Sequence, residues 1–214
     1  MAVTVLKDPK KVTRMLKAAT QVFADDGYQR AKTDQIAIKA QVSKGLIFHY
    51  YGSKAGLYLA VVKAAMATIT ANVSQQALAV PPDLVTLVVQ STQAKAAFGQ
   101  QYPNEFAVMM QAYGDAKKLP GPIQNQLMTM YQQAVQGLRQ QFDQVLDQMS
   151  LRPDVDRELV LNLVVGVYNQ LFAEFQAEQS QHAGMKTMSD ADWIVKRARA
   201  YMEILQSGFV KSLT

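Results

Sequence analysis

The stretch "TDQIAIKAQVSKGLIFHYYGSKAGLYLAVV", residues 33–62, decides how this chain folds. It reads as two very short helices and the start of a long one, each opened by a small hydroxyl residue. Thr33, Ser43 and Ser53 stand where helix N-caps belong, and Asp34 adds a negative charge to the first turn. Between these caps, "DQIAIKA" and "KGLIFHYY" leave room for barely two turns each. Helices that short are unstable alone and must pack on a platform. The preceding "PKKVTRMLKAATQVFADDGY" supplies one. Val12, Met15, Leu16, Ala19, Val22 and Phe23 share a face, with Pro9 near the start and Gly27 placed to stop the helix.

Outward from this stretch, everything else reads helical. Apolar residues recur at three- and four-residue spacing, and no segment alternates as a strand would. The helix opened by Ser53 runs to residue 78, just before Pro81-Pro82. Further helices are predicted over 83–99, 103–116, 121–149, 154–180 and 190–212, punctuated by proline and glycine clusters. The fold class is all-α, with about nine helices in total.

Composition narrows the function classes. The 214 residues are 49% hydrophobic and 18% charged, which fits a globular chain. There is no cysteine, which excludes disulfides and cysteine-based nucleophiles or metal sites. No signal peptide and no uninterrupted apolar run of membrane-spanning length is visible, so the expected address is the cytoplasm, without a membrane. Only His49 and His182 are present, and no phosphate-binding glycine loop or His-Glu-x-x-His motif occurs. Asp154, Asp156, Asp190 and Asp192 lie at predicted helix starts, where capping explains them. The chain is therefore read as not an enzyme, with no catalytic residues, no cofactor and no metal.

Charge is unevenly distributed. Residues 1–63 hold eleven basic and four acidic side chains, a net of +7, while the remaining residues hold eleven and thirteen, a net of −2. A basic end on a slightly acidic body fits a polyanionic partner, but a solvated basic face is an equal reading. Three helices with a tight turn between the second and third tilt the balance. They form the helix-turn-helix arrangement, whose last helix enters the DNA major groove.

Residues 33–62 resemble the DNA-binding segment of the TetR family of bacterial transcriptional repressors. Thr33, Ala37, Ala40, Val42, Ser43, Gly45, Tyr51, Ser53, Lys54 and Leu57 fall in register with the family pattern. "AATQVFADDGYQRAKT" before them is similar to the family's first helix and its Phe-x-x-x-Gly-Tyr exit. Two departures stand out. Gln41 occupies a turn position where glycine is usual, often with a left-handed backbone. Leu46 and Phe48 replace residues that usually carry hydroxyls, which points readout toward thymine methyl groups.

The resemblance implies a division into a DNA-binding domain, residues 1–53, and a helical effector-binding and dimerisation domain, residues 54–214. It implies phosphate contacts from Thr33, Ser43, His49, Tyr50 and Lys54, and base-edge contacts from Lys44, Gly45, Leu46 and Phe48. Ala37, Ile47, Tyr51 and Leu57 are read as core. The partners it implies are a double-stranded, palindromic DNA operator, an unidentified small-molecule effector and a second copy of the chain. The homodimer would form through residues 154–180 and 190–212, and "LVLNLVVGVYNQLFAEF" is apolar nearly all round. Candidate effector contacts are Met66, Phe98, Tyr102, Phe106, Met109, Met110, Tyr113, Met128 and Tyr131, with Asn162, Tyr168 and Asn169 as orienting polar groups. Charges are sparse among these helices, so a neutral or weakly charged, largely apolar effector is expected, one that releases a repressor from its operator. A ligand-binding or adaptor module without DNA binding is the competing reading, against which the basic first 63 residues count.

Overall fold

The structure, a computed structural model, describes residues 7–76, 80–114, 116–181 and 192–208. The described residues form nine α-helices and no strand. These are α1 (Pro9–Arg30), α2 (Thr33–Ala40), α3 (Lys44–Tyr51), α4 (Lys54–Gln76), α5 (Leu84–Gln101), α6 (Pro103–Gly114), α7 (Gly121–Leu146), α8 (Arg157–Gln181) and α9 (Asp192–Ser207). A single 3-10 turn, Ala116–Lys118, precedes α7. Of the predicted helices, residues 77–78, 115, 190–191 and 209–212 lie outside the described residues, as does His182.

Contacts divide the chain into two compact units. One comprises Met1–Thr70 and Tyr102–Thr129, the other Ala71–Gln101 and Met130–Thr214, so that α4 and α7 each contribute to both.

In the first unit α1 packs on α2 and α6, and α2 on α3. Asp8 caps α1, its carboxylate accepting from the Lys10 amide at 2.9 Å. Gly27, at φ +69°, interrupts the helix as predicted, and a single turn follows it. Of the predicted apolar face, Met15, Ala19, Val22 and Phe23 are buried, while Val12 and Leu16 are half-buried. Phe23 meets Tyr58 of α4 edge-on, with ring centroids 4.9 Å apart, and Tyr28 meets Tyr58 at 5.1 Å. Ile36, Ile47 and Leu57 complete this core with no exposed surface. The Gln111 side chain donates to the Ala24 carbonyl at 2.9 Å, tying α6 to α1.

By length and composition, residues Lys54–Asn72 of α4 could cross a membrane, with mean hydropathy 1.3. Leu57, Tyr58, Leu59, Val61, Val62 and Ala65 are instead buried in protein.

In the second unit α9 packs on α5 and α8. Val88, Phe142, Val145, Val164, Ala198 and Met202 are its innermost side chains. Arg157 fastens the start of α8 to the end of α7, reaching Asp143 at 3.0 Å and Asp147 at 2.8 Å. Asp156 accepts from the Glu158 amide at 2.8 Å, as a helix-start acid should. Tyr201 of α9 donates a short hydrogen bond to Glu174 of α8, which holds that carboxyl below its ordinary range.

Candidate nucleic-acid interface

The turn joining α2 to α3 closes by backbone hydrogen bonds. Val42 N–H donates to the Ala37 carbonyl and Gln41 N–H to the Ile38 carbonyl, both at 3.1 Å. This is a Schellman closure, which requires a left-handed residue at the helix exit. Gln41 supplies it at φ 53°, ψ 50°, the one non-glycine residue with positive φ among those described. The turn therefore keeps the shape a glycine would allow, at a cost of about 1 kcal/mol.

Ser43 caps α3 as expected, its hydroxyl accepting from the Leu46 amide at 3.2 Å. From there the eight residues of α3 separate cleanly. Ile47 is fully buried and Tyr50 nearly so, while Lys44, Gly45, Phe48 and His49 are exposed together. Positions i, i+1, i+4 and i+5 make one helical face. Phe48 keeps 37% of its surface exposed, too much for a core aromatic. Leu46 is half-buried at the edge of this face. Lys44 reaches across to Asp34 of α2 at 3.0 Å, an exposed pair that a phosphate could readily replace.

Three expectations are corrected here. Thr33 is the first helical residue of α2, and the cap is Lys32, whose extended backbone and carbonyl receive the Ile36 amide at 3.3 Å. Tyr50, expected at a phosphate, is buried, and its hydroxyl accepts from the Asp8 amide at 3.1 Å. The reason is the packing of α3 on the start of α1. Tyr51, expected in the core, is half-buried, though its hydroxyl is covered and has no hydrogen-bond partner among the described residues. Burial, and then the neighbouring Tyr50, push the Tyr51 hydroxyl above its ordinary pKa.

Lys54 opens α4. Its ammonium donates to the Gln29 carbonyl at 3.1 Å and lies 4.9 Å from the centre of the Tyr28 ring. Partial burial lowers its pKa. One of its three N–H groups is thus spent holding α4 to the exit of α1. Ser53 caps α4, accepting from the Gly56 amide at 3.0 Å. Gly56 is a residue that sequence reasoning missed. A Cβ there would stand 2.1 Å from the Tyr51 carbonyl oxygen, so only glycine lets α4 begin so close to the end of α3. Ile38, 77% exposed, was missed as well. Two isoleucines two apart cannot share a helix face, and Ile36 takes the core.

The candidate effector residues divide between the units. In the first, Phe106 and Met110 are buried, Met66, Tyr102, Met109 and Tyr113 half-buried, and Met128 exposed. The Tyr113 hydroxyl lies 3.4 Å from the Met66 sulfur. In the second, Phe98 is buried, and Tyr168 is half-buried with a covered hydroxyl. Tyr131 is exposed and hydrogen-bonded to exposed Asn169 at 3.1 Å, and exposed Asn162 accepts from Arg139 at 3.0 Å.

Residues 15–61, which include every candidate DNA contact, match the family described as bacterial regulatory proteins, tetR family. Over this segment the chain is similar to the TetR family. One relative, the HTH-type transcriptional activator FasR of Mycolicibacterium smegmatis, is 40% identical over 62 residues, 29% of this chain and 28% of that protein. The chain thus spans less than a third of that relative's length. The HTH-type transcriptional regulator UidR of Escherichia coli is 24% identical over 186 residues, covering 82% of this chain and 89% of that one. A likeness of fold extends beyond the matched segment. The crystal structure of the transcriptional regulator FadR from Bacillus subtilis, in complex with stearoyl-CoA, superposes with a TM-score of 0.67. At 13% identity it covers 93% of this chain and all of that one, a likeness of fold. The relatives are regulators of transcription, not enzymes, in keeping with the lack of catalytic motifs.

Proposed function

We propose that this protein is a DNA-binding transcriptional regulator of the TetR family, acting as a ligand-released repressor on a palindromic operator in the cytoplasm. The observation that carries it is the α3 face of Lys44, Gly45, Phe48 and His49, exposed while Ile47 anchors the helix. Thr33, Ser43 and Lys54 flank that face at three helix starts, where free amides and dipole ends favour phosphate. Residues 1–53 form the DNA-binding domain in this reading, and residues 54–214 bind effector and dimerise.

The dimer interface lies along residues 154–180 and 190–212. In its support, Leu159 and Leu163 of α8 are 61% and 56% exposed, with exposed Gly166 continuing the same stripe. A row of exposed leucines one turn apart is a surface awaiting a partner. Two-fold symmetry then matches two half-sites. Repression rests on the sequence resemblance. A relative named as an activator makes activation the reading to test beside it. Coupling runs through α4, which begins at Lys54 beside the DNA face and continues into the second unit. A ligand acts by preferring one of two spacings of the recognition helices.

Electrophoretic mobility shift on the DNA upstream of the protein's own gene tests the central claim. Specific retardation that weakens steeply with salt is expected. Retardation equal on unrelated DNA, or none, would refute it. A reporter driven by the same fragment separates repression from activation.

A further inference from the structure

Within the second unit, α5 carries a lysine on a face that otherwise turns inward. Lys95 stands one turn beyond Ser91 and three residues after the buried Thr92, and Ala96 and Gly99 beside it are buried. Its ammonium lies 4.1 Å from the centre of the Tyr168 ring of α8. Among the described residues it makes no ion pair and no hydrogen bond to an acid. The Tyr168 hydroxyl is buried and lacks a hydrogen bond of acceptable geometry, although Ser91 lies beside it. Phe142 of α7 closes the cluster, its ring 5.8 Å from that of Tyr168.

Lys95 is half-buried without a counter-charge, and the Tyr168 hydroxyl beside it is covered without a hydrogen-bond partner among the described residues, so an anion would complete both. Donors from Lys95 and Tyr168 converge here with the Ser91 hydroxyl beside them, and no carboxylate among the described residues pairs with the ammonium. We propose that Lys95 and Tyr168 receive the carboxylate of an amphipathic monocarboxylic acid, whose apolar body packs against the side of Phe142. One ammonium balances one negative charge, whereas a phosphate would call for more. Burial lowers the Lys95 ammonium to about pKa 8 and pushes the Tyr168 hydroxyl up to about 12, so both remain proton donors at neutral pH. The inference rests on reading the second unit as effector-binding, and it narrows the expected neutral or weakly charged ligand to a singly anionic one.

Calorimetry on the full chain compares octanoate, decanoate and dodecanoate with the matching alcohols, and Nile red serves as a neutral apolar probe. At least one acid is expected to bind about tenfold or more tighter than its alcohol. Lys95→Met should erase that preference while leaving alcohol and Nile red binding in place. Tyr168→Phe should weaken acid binding severalfold and alcohol binding not at all. Circular dichroism confirms that both variants fold. Equal binding of acids and alcohols, or a preference that survives Lys95→Met, would overturn the carboxylate site while the effector reading stands. Failure of Nile red, acids and alcohols alike would bring down both.

Discussion

The α3 face and the Lys95 cluster both gather polar groups among apolar ones, but they solve opposite problems. On α3, Lys44 and His49 are exposed, and α3 and α4 each start with a serine cap. Lys95 is half-buried with its ammonium against the Tyr168 ring, and no acid among the described residues pairs with it. The first arrangement costs little when empty, because solvent completes it. The second leaves a partly desolvated ammonium and an unpartnered hydroxyl that a bound anion would complete. A surface that meets a polymer can be assembled from local rules, whereas a site that meets a small ligand needs distant helices to converge.

The first way to break that comparison is to remove the local economy of the α3–α4 junction. Gly56→Ala places a methyl 2.1 Å from a backbone oxygen that cannot swing aside. Urea unfolding should show a loss of about 3 kcal/mol. A loss under half a kilocalorie would mean that the junction relaxes freely and does not fix α3.

The next expected effect has the opposite sign. Lys95→Met removes a partly desolvated charge, so the variant should be more stable at pH 7, by at most about 3 kcal/mol from the depressed pKa. Between about pH 8 and the unfolded value of 10.5, the unfolded chain holds a proton that the native one has shed. Native stability therefore rises with pH over that window, and the advantage of the variant shrinks. Thermal melts from pH 7 to 10 check both parts. A destabilised variant would show that the ammonium is satisfied in the fold.

Smaller losses should follow on DNA. His49→Ala is expected to weaken operator binding about tenfold, with dimerisation and melting temperature unchanged. Lys54→Ala should weaken it by a similar factor and lower stability as well, since its ammonium also holds the Gln29 carbonyl. Mobility shift and sedimentation separate these effects. Unaltered DNA affinity in both variants would remove these residues from the interface.

How legible each part was follows the same division. The spacing of residues 33–62 and the caps at Ser43 and Ser53 are local, and the structure repeats them. The exposure of Lys44, Gly45, Phe48 and His49 follows from helical period once Ile47 is taken as the anchor. Whether Tyr50 faces phosphate or shields the core was not legible, because its hydroxyl meets Asp8, forty-two positions earlier, and no local pattern encodes such a contact. Gly56 was overlooked because its constraint is a close approach of two helices, invisible in a one-dimensional reading. Lys95 did leave a signal, as a lysine interrupting the apolar stripe of α5. Only the ring of Tyr168, three helices later, gives that interruption a meaning.

The subtlest prediction concerns the turn itself. Gln41 holds a left-handed backbone that glycine adopts without strain, and its side chain is exposed. Gln41→Gly should therefore stabilise the protein by about 1 kcal/mol, less the extra entropy that glycine brings to the unfolded chain. The closing hydrogen bonds of Gln41 and Val42 come from the backbone, so the turn should keep its shape and DNA affinity should hold. Equilibrium unfolding and mobility shift on the same preparation read both quantities. A variant that gained stability but lost affinity would place the Gln41 side chain on the DNA. That result would move the boundary of the interface from α3 back into the turn, where local rules alone predict nothing but a glycine.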